Sequence, residues 1–459
     1  MPFESVLTSA DSCALFDASA MVQRMLDVEA AMAWARVDCG LLDAKQAGHI
    51  AQACQVEHFD VAGLVRDARR SGSLIVPLVE QLVLYVAQRD PQAASHVHLS
   101  STSQDVIDTA VVLATKDALT LIERDLNVLI DALLKLARDH VSAPILARTL
   151  MQPAAVQPFG LKALNWVRPL WRCRVALRTC VRRALVLQLG GPAGCLGYAH
   201  PAERVFVLAA GRRLNLDAPD GAWHTQRDEW ARLACELAVL CGAGGKLARD
   251  WALMSQSEIA ELLWDGAPGA GASSAMPHKR NPVAALMGIA AASRAPLRAS
   301  GVLQSMVQEH ERALGAWHVE LAEWVGLLQS TAGSMSALSA AATSIRIDVA
   351  QMRRHIDAQQ GLVFSQAATE LLSPIMGRHS AKEMVAAACE DSRRTGRHLQ
   401  TALGDQLENA NTWPPEVKQA LDGVFNIDSL MASMVRQVAP CIDAMALEQG
   451  SSFPVEGTV

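Results

Sequence analysis

The sequence predicts an all-α protein in three helical parts, organised around a long central helix bundle. Three observations carry that prediction. Val112, Thr115, Leu119, Ile122, Leu126, Leu129, Leu133 and Leu136 recur at alternating spacings of three and four, which places them on one helix face. The run from Thr109 to His140 spans roughly 45 Å at 1.5 Å per residue, and a seam of that length needs long partners. Hydrophobic residues make up 51% of the 459 residues while aromatics make up only 4%. Such an aromatic-poor chain, rich in Ala and Leu, suits close-packed helices better than sheets. Finally, no set of alternating-period strands and no repeat of fixed period is evident.

The elements follow in order. Residues 1–108 read as an N-terminal helical domain, with short helical runs at 20–39, 44–53, 61–71 and 73–90 broken by Gly and Asp. Residues 109–359 read as the central bundle. After the seam helix come helical runs at 166–189, with many Arg on one side, at 227–263, interrupted by Gly242, Gly244 and Gly245, and at 282–325, with Pro282 suited to a first turn. The pattern continues through 335–359. Residues 360–459 read as a C-terminal helical domain with breaks at Pro374, Gly377, Pro414 and Pro415, and 450–454 as a loose tail.

Composition and charge exclude several classes. Lys plus Arg number 41 and Asp plus Glu 47, for a net charge of −6. There is no long basic run, so no nucleic-acid partner is expected. Met1-Pro2-Phe3-Glu4 has an early acid and no apolar segment behind it, which argues against a signal peptide and for a cytoplasmic protein. The longest uncharged stretch, 324–345, is long enough to span a bilayer. Gln329, Ser330, Thr331, Ser334 and further hydroxyl residues make it too polar, so a buried helix and no membrane partner are expected. Ten cysteines without a C-x-x-C, and no H-E-x-x-H pair, read as reduced thiols with no metal site.

The segment richest in chemistry is 266–282. Three Gly and four Ala fall among residues 266–275, which also hold Ser273 and Ser274; Lys279, Arg280 and Asn281 follow just before a long helix. A flexible loop that delivers such groups inside a helical protein points to function. The alternative is a glycine linker with a solvated Lys-Arg pair.

The spacing favours function. Ser273-Ser274-Ala275-Met276-Pro277-His278-Lys279-Arg280-Asn281-Pro282 resembles the signature of the fumarase/aspartase superfamily, G-S-S-x-M-P-x-K-x-N-P, with Ala272 where the family usually has Gly. Two more segments resemble the family's other blocks, in family order. His96 to Asp105 is similar to H-x-G-x-T-S-x-D, with Ser100 replacing the Gly. Arg148 to Ala154 is similar to R-T-x-x-Q, followed by Phe159-Gly160. The resemblance covers nearly the whole chain and agrees with the long central helices. Residues 102–109, 223–228 and 308–317 are most similar to the bacterial 3-carboxy-cis,cis-muconate cycloisomerases. Adenylosuccinate lyases share parts of these segments.

The resemblance implies a reaction and its residues. Family members add or eliminate a group across a double bond beside a carboxylate, through an intermediate with extra charge on that carboxylate. Preorganised cations and donors must stabilise it. Ser273 is the implied proton-transfer group; a Ser hydroxyl is a poor base and needs positive charge or backbone donors nearby. Lys279 and the start of the following helix are expected to supply that field. Ser100, Ser101, Thr102, Arg148, Thr149, Gln152, Lys279, Arg280, Asn281 and Arg312 are the expected binding groups for a small polycarboxylate substrate. No metal, nucleotide or redox cofactor is required.

One departure bears on mechanism. Most relatives carry a His at the position of Leu150 or of Pro153, and this chain has neither. A substrate carboxylate that attacks its own alkene needs less help, because ring closure is intramolecular. The reading is therefore a cycloisomerase. A C–N lyase acting on a succinate adduct, or an inactive structural relative, remain the alternatives. His98 is the expected replacement for acid–base or carboxylate-binding work. His224, His310 and His96 follow, and Glu309, Glu311 and Trp317 are candidates to border the site. The resemblance further implies a homotetramer whose active sites are shared between subunits, with the 324–345 face buried in the assembly.

Overall fold

The computed structural model describes residues 2–198, 200–265, 271–409 and 415–450. The first residues of the signature loop (266–270), Pro414 and most of the 450–454 tail therefore lie outside the described residues.

Five long helices make the bundle: α2 (Ser103–Asp139), α3 (Phe159–Ala184), α4 (Asp228–Met254), α5 (Val283–Gln304) and α6 (Ala316–Ala342). An earlier helix, α1 (Ala18–Asp38), packs along the first turns of α2. The seam on α2 is inside as expected: Val112, Thr115, Leu119, Ile122, Leu126, Leu129 and Leu133 are all buried, and Leu136 is partly so. The core of the 18–97 helices is continuous with that of the bundle. A separate small core gathers Ala368, Leu372, Ala381, Val385, Leu403 and Leu421.

Glycine sets the tightest helix crossing. Gly242, Gly244 and Gly245 do not interrupt α4; two of them let helices close on it. A Cβ on Gly245 would meet Ala292 at 2.2 Å, and one on Gly244 would meet Met335 at 3.0 Å. From the other side, a Cβ on Gly288 would meet Ala248 at 2.7 Å. Backbones this close gain dispersion contacts that larger residues would block.

Four expectations are corrected. The 282–325 run is two helices, α5 and α6, parted by an irregular segment at 305–315 whose His310 (φ 45°) and Gly315 (φ 98°) take left-handed backbone. The 335–359 run holds the end of α6, a strand β4 (Ile345–Ile347) and helix α7 (Val349–Asp357). Strands do occur. β1 (Pro144–Thr149) pairs antiparallel with β2 (Gln152–Pro158), and β3 (Leu262–Trp264) with β4. β1 and β2 do not alternate in burial along their whole length, with Ile145 and Leu146 both buried side by side, and β3 and β4 are three residues each. The 324–345 face is covered within the chain: Trp324, Leu327, Leu328, Thr331, Ser334, Met335 and Leu338 are buried against its own helices. Exposed apolar side chains on the bundle include Val283, Leu286, Leu297 and Leu303 on α5, Val239 on α4 and Val319 at the start of α6.

The last helix, α8 (Ile427–Gly450), returns to the bundle, where Val438 and Ile442 join the main core and Asp443 pairs with Arg138. Its stretch Ile427–Gln449 has the length and mean hydropathy (1.2) of a membrane span. Only 17% of its most apolar window is buried within the chain, so these core contacts cover part of that apolar surface.

Candidate active site

The three motif blocks fall at two ends of the bundle. The first, 96–105, leads into α2. Thr102 is the N-cap, and its N–H donates to Asp105 Oδ2 at 3.0 Å in a capping box. Asp105 accepts three more hydrogens, from Gly190 N–H and Gly191 N–H (both 2.9 Å) and from His224 Nε2 (2.7 Å). One buried carboxylate thus ties the start of α2 to the segments 188–191 and 222–224.

A second buried knot lies one turn on. Arg227 reaches Asp108 at 2.8 Å and also pairs with Glu320, and all three side chains are almost fully buried. Burial alone would lower the Arg227 guanidinium, but Asp108 and Glu320 outweigh it and raise it. Trp317 Nε1 donates to Asp108 Oδ1 at 2.8 Å, so this Trp is a buried part of the knot. His224 is likewise buried on Asp105.

Arg312 joins this end. It donates to Gln104 Oε1 at 3.1 Å and to the Pro192 carbonyl at 2.9 Å. His98 and Ser100 take left-handed backbone (φ 56° and 63°), which turns the 96–101 segment sharply back on itself. His98 Nδ1 donates to Glu29 Oε1 on α1 at 2.6 Å, and its backbone N–H to Glu29 Oε2 at 3.1 Å. Ser101 Oγ donates to the His98 carbonyl at 3.0 Å and lies 3.1 Å from Nδ1. Burial pushes the His98 imidazolium down, but the Glu29 hydrogen bond and charge, with the charge of Asp105, outweigh it. The net shift is upward. Glu29 was not legible as a site residue: it stands 69 residues from its partner, in a helix that also carries Arg24, Asp27, Arg36 and Asp38.

The second block forms a hairpin. Thr149 pairs with Gln152, and the two residues between them, Leu150 (φ 49°) and Met151 (φ 66°), are both left-handed, as a two-residue hairpin requires. Leu150, where the family resemblance calls for a His, is 96% exposed at the tip. Thr149 and Gln152 are exposed beside it. Arg148 forks onto the fully buried Glu261, at 2.7 and 3.0 Å, and His355 Nδ1 donates to the same carboxylate at 2.7 Å. Within the chain Arg148 therefore neutralises Glu261.

The third block precedes α5. Asn281 N–H donates to the Gly271 carbonyl at 2.8 Å, and Ala272 bridges Arg280, closing 271–281 into a loop. Gly271 holds the left-handed position (φ 68°), and a Cβ there would meet the Asn281 carbonyl at 2.3 Å. Ala272 is not among the left-handed residues, so its replacement of the usual Gly adds no backbone strain. Ser273 Oγ accepts from Met276 N–H at 3.2 Å and lies 3.4 Å from Ala275 N–H. These are backbone donors of the kind a reactive Ser oxygen needs. Among the described residues the Lys279 and Arg280 side chains are exposed and have no partner, and Asn281 is half-buried.

Blocks one and three are far apart in one chain. The first sits where α4 begins, at His224 and Arg227. The third leads into α5, whose Gly288 packs on Ala248 near the end of α4. About twenty helical residues separate those levels, or roughly 30 Å. Among the described residues, no cluster of three His, Cys, Asp or Glu side chains is placed to hold a metal ion.

Comparison with known proteins agrees with the motifs. A lyase family profile matches residues 9–297. The 3-carboxy-cis,cis-muconate cycloisomerase of Bradyrhizobium diazoefficiens is 39% identical over 91% of this chain and 92% of its own. Nitrosuccinate lyase of Streptomyces davaonensis is 33% identical over 88% of this chain and 85% of its own. The crystal structure of the 3-carboxy-cis,cis-muconate lactonizing enzyme from Pseudomonas putida superposes with a TM-score of 0.87, at 35% identity, over 96% of this chain and 98% of its own. From the order of its motifs, its helical bundle and these relatives, the chain belongs to the lyase family of the fumarase/aspartase superfamily.

Proposed function

We propose that this protein is a cofactor-free cycloisomerase that converts 3-carboxy-cis,cis-muconate to a carboxymuconolactone in the breakdown of aromatic compounds. The observation that carries the reading is the setting of Ser273, whose oxygen faces two backbone N–H groups inside a loop that also bears Lys279, Arg280 and Asn281.

The chemistry follows from charge. One substrate carboxylate attacks the conjugated alkene of the same molecule, forming the ring C–O bond. The electron pair of the C=C bond moves onto the neighbouring carboxylate as an aci-anion. Lys279 and Asn281 hold that anion, and the Ser273 hydroxyl returns a proton to the adjacent carbon. The N–H groups of Met276 and Ala275 steady the oxygen until solvent restores its proton. The substrate is a tricarboxylate, and Arg280, Arg312 and the hydroxyls of Ser100, Ser101 and Thr102, with Thr149 and Gln152, supply the remaining charge and donors.

The working unit is a cytoplasmic homotetramer with sites shared between subunits. A 30 Å gap within one chain (roughly, by helix rise) keeps block one from block three, whereas neighbouring copies bring different ends together. The exposed apolar face of α5, with Val283, Leu286 and Leu297 within one 60° sector by helical geometry (about 100° per residue), gives those copies a surface to meet on.

The test mixes purified protein with 3-carboxy-cis,cis-muconate and follows loss of the conjugated diene absorbance, with Ser273→Ala alongside. Rapid loss by the wild type alone supports the reading. No loss, together with turnover of a succinate adduct such as adenylosuccinate, would move the activity to a C–N lyase.

A further inference from the structure

We propose that Glu29 is a positioning residue for His98, fixing the imidazole so that its cationic form receives one carboxylate of the substrate. This deepens the function proposed above and rests on it for the identity of that carboxylate.

The geometry is that of a carboxylate–histidine dyad. Glu29 is only 2% exposed, and its two oxygens take the Nδ1 hydrogen and the backbone N–H of the same residue. A single acid on α1 therefore sets both the left-handed turn at His98 and the orientation of its ring. Nδ1 is committed as a donor. Nε2 makes no hydrogen bond among the described residues and is not sealed from solvent, and the side chain is 19% exposed.

The neighbouring imidazoles lack this arrangement. His224 spends Nε2 on Asp105 and buries Nδ1 without a partner, and His96 Nδ1 is also buried without one. Of these three, His98 alone has a buried counter-charge on one nitrogen and an open nitrogen on the other.

The charge balance favours a cation. A buried carboxylate is costly unless paired, so Glu29 gains when the ring facing it is protonated. The charged groups around His98 are Glu29 and Arg36 from α1 and Asp105 from α2, with Arg312 behind the 191–192 segment and His224 reached through Asp105. Arg36 is itself occupied by the Leu99 carbonyl. Because the protonated form is the one held in the fold, carboxylate binding is complete at acid pH. It is lost as pH rises through the raised value of His98.

The test reads the ring directly. Protein with ring-labelled histidine is titrated by NMR, with His98→Asn identifying the signal. Binding of propane-1,2,3-tricarboxylate is measured in parallel for the wild type and Glu29→Gln. His98 is expected to titrate above the free value of about 6.5, and Glu29→Gln to lower it by about one unit. Tricarboxylate binding by Glu29→Gln should weaken about fivefold near pH 7.5 and recover to within about twofold near pH 5.5, where its ring is protonated too. A merely structural role would weaken binding equally at both. The proposal is overturned if wild-type His98 titrates at or below the free value, if the wild type does not bind the tricarboxylate, or if the loss in Glu29→Gln is independent of pH. If Glu29→Gln does not fold, the wild-type titration and the pH dependence of wild-type binding decide. A raised His98 that binds tricarboxylate in a protein inactive on 3-carboxy-cis,cis-muconate would retain the dyad and remove the proposed reaction.

Discussion

Asp105 and His224 meet at 2.7 Å, both almost wholly buried, across 119 residues of chain. The same carboxylate caps α2 and takes two glycine N–H groups, so the loop that presents His98, Ser100 and Ser101 is anchored through one side chain. Asp105→Ala leaves three backbone donors and one ring nitrogen without their acceptor. The expected loss is about 2–4 kcal/mol of stability, read as a lowered midpoint in denaturant unfolding. An unchanged midpoint would show that this end of the bundle is held by other contacts.

Arg227 poses a different problem. Its removal in Arg227→Ala leaves Asp108 and Glu320 buried together with like charge. A loss of about 3–5 kcal/mol is expected, or failure to accumulate as folded protein. Replacing all three residues with well-packed apolar ones should recover much of that loss, and calorimetry distinguishes the two variants.

Helix spacing is tested at Gly245. The Cβ of Gly245→Ala would lie 2.2 Å from the Ala292 Cβ, so α4 and α5 must part. A cost of about 1–3 kcal/mol is expected. The double variant Gly245→Ala, Ala292→Gly should regain part of it, because it moves the same methyl group to the facing helix. Thermal melts of the three proteins supply the comparison.

Ser273→Ala should abolish turnover and leave the melting temperature within about two degrees, since its oxygen bonds only to its own loop. Lys279→Ala should raise KM and also lower kcat, because Lys279 is proposed to hold the aci-anion formed on the substrate carboxylate; its side chain is exposed and has no partner among the described residues. A wild-type kcat for Ser273→Ala would remove it from the mechanism.

Sharing of sites has its own signature. Light scattering should give a mass four times that of the 49.2 kDa chain. Ser273→Ala and Arg312→Ala, each inactive alone, should regain part of the wild-type activity when unfolded and refolded together. The two substitutions lie at opposite ends of the bundle, so some mixed sites carry neither. A fully active monomer would rule the arrangement out.

Local pattern alone determined a good deal about this protein. The seam from Val112 to Leu136 announced a long helix because burial on a helix repeats every three to four residues. The signature from Ser273 to Asn281 was legible because all its chemistry is packed into nine residues, and the two N–H groups on Ser273 Oγ come from that stretch as well. What local pattern could not carry is pairing at a distance. Glu29 finds His98 across 69 residues, Arg148 finds Glu261 across 113 and His224 finds Asp105 across 119. Nothing in the spacing of a buried charge names its partner. Only the packed bundle decided that the 324–345 face is covered from within while Leu286 and Leu297 on α5 are left bare. An apolar stripe shows that a face must be covered; which neighbour covers it depends on how all the helices pack together.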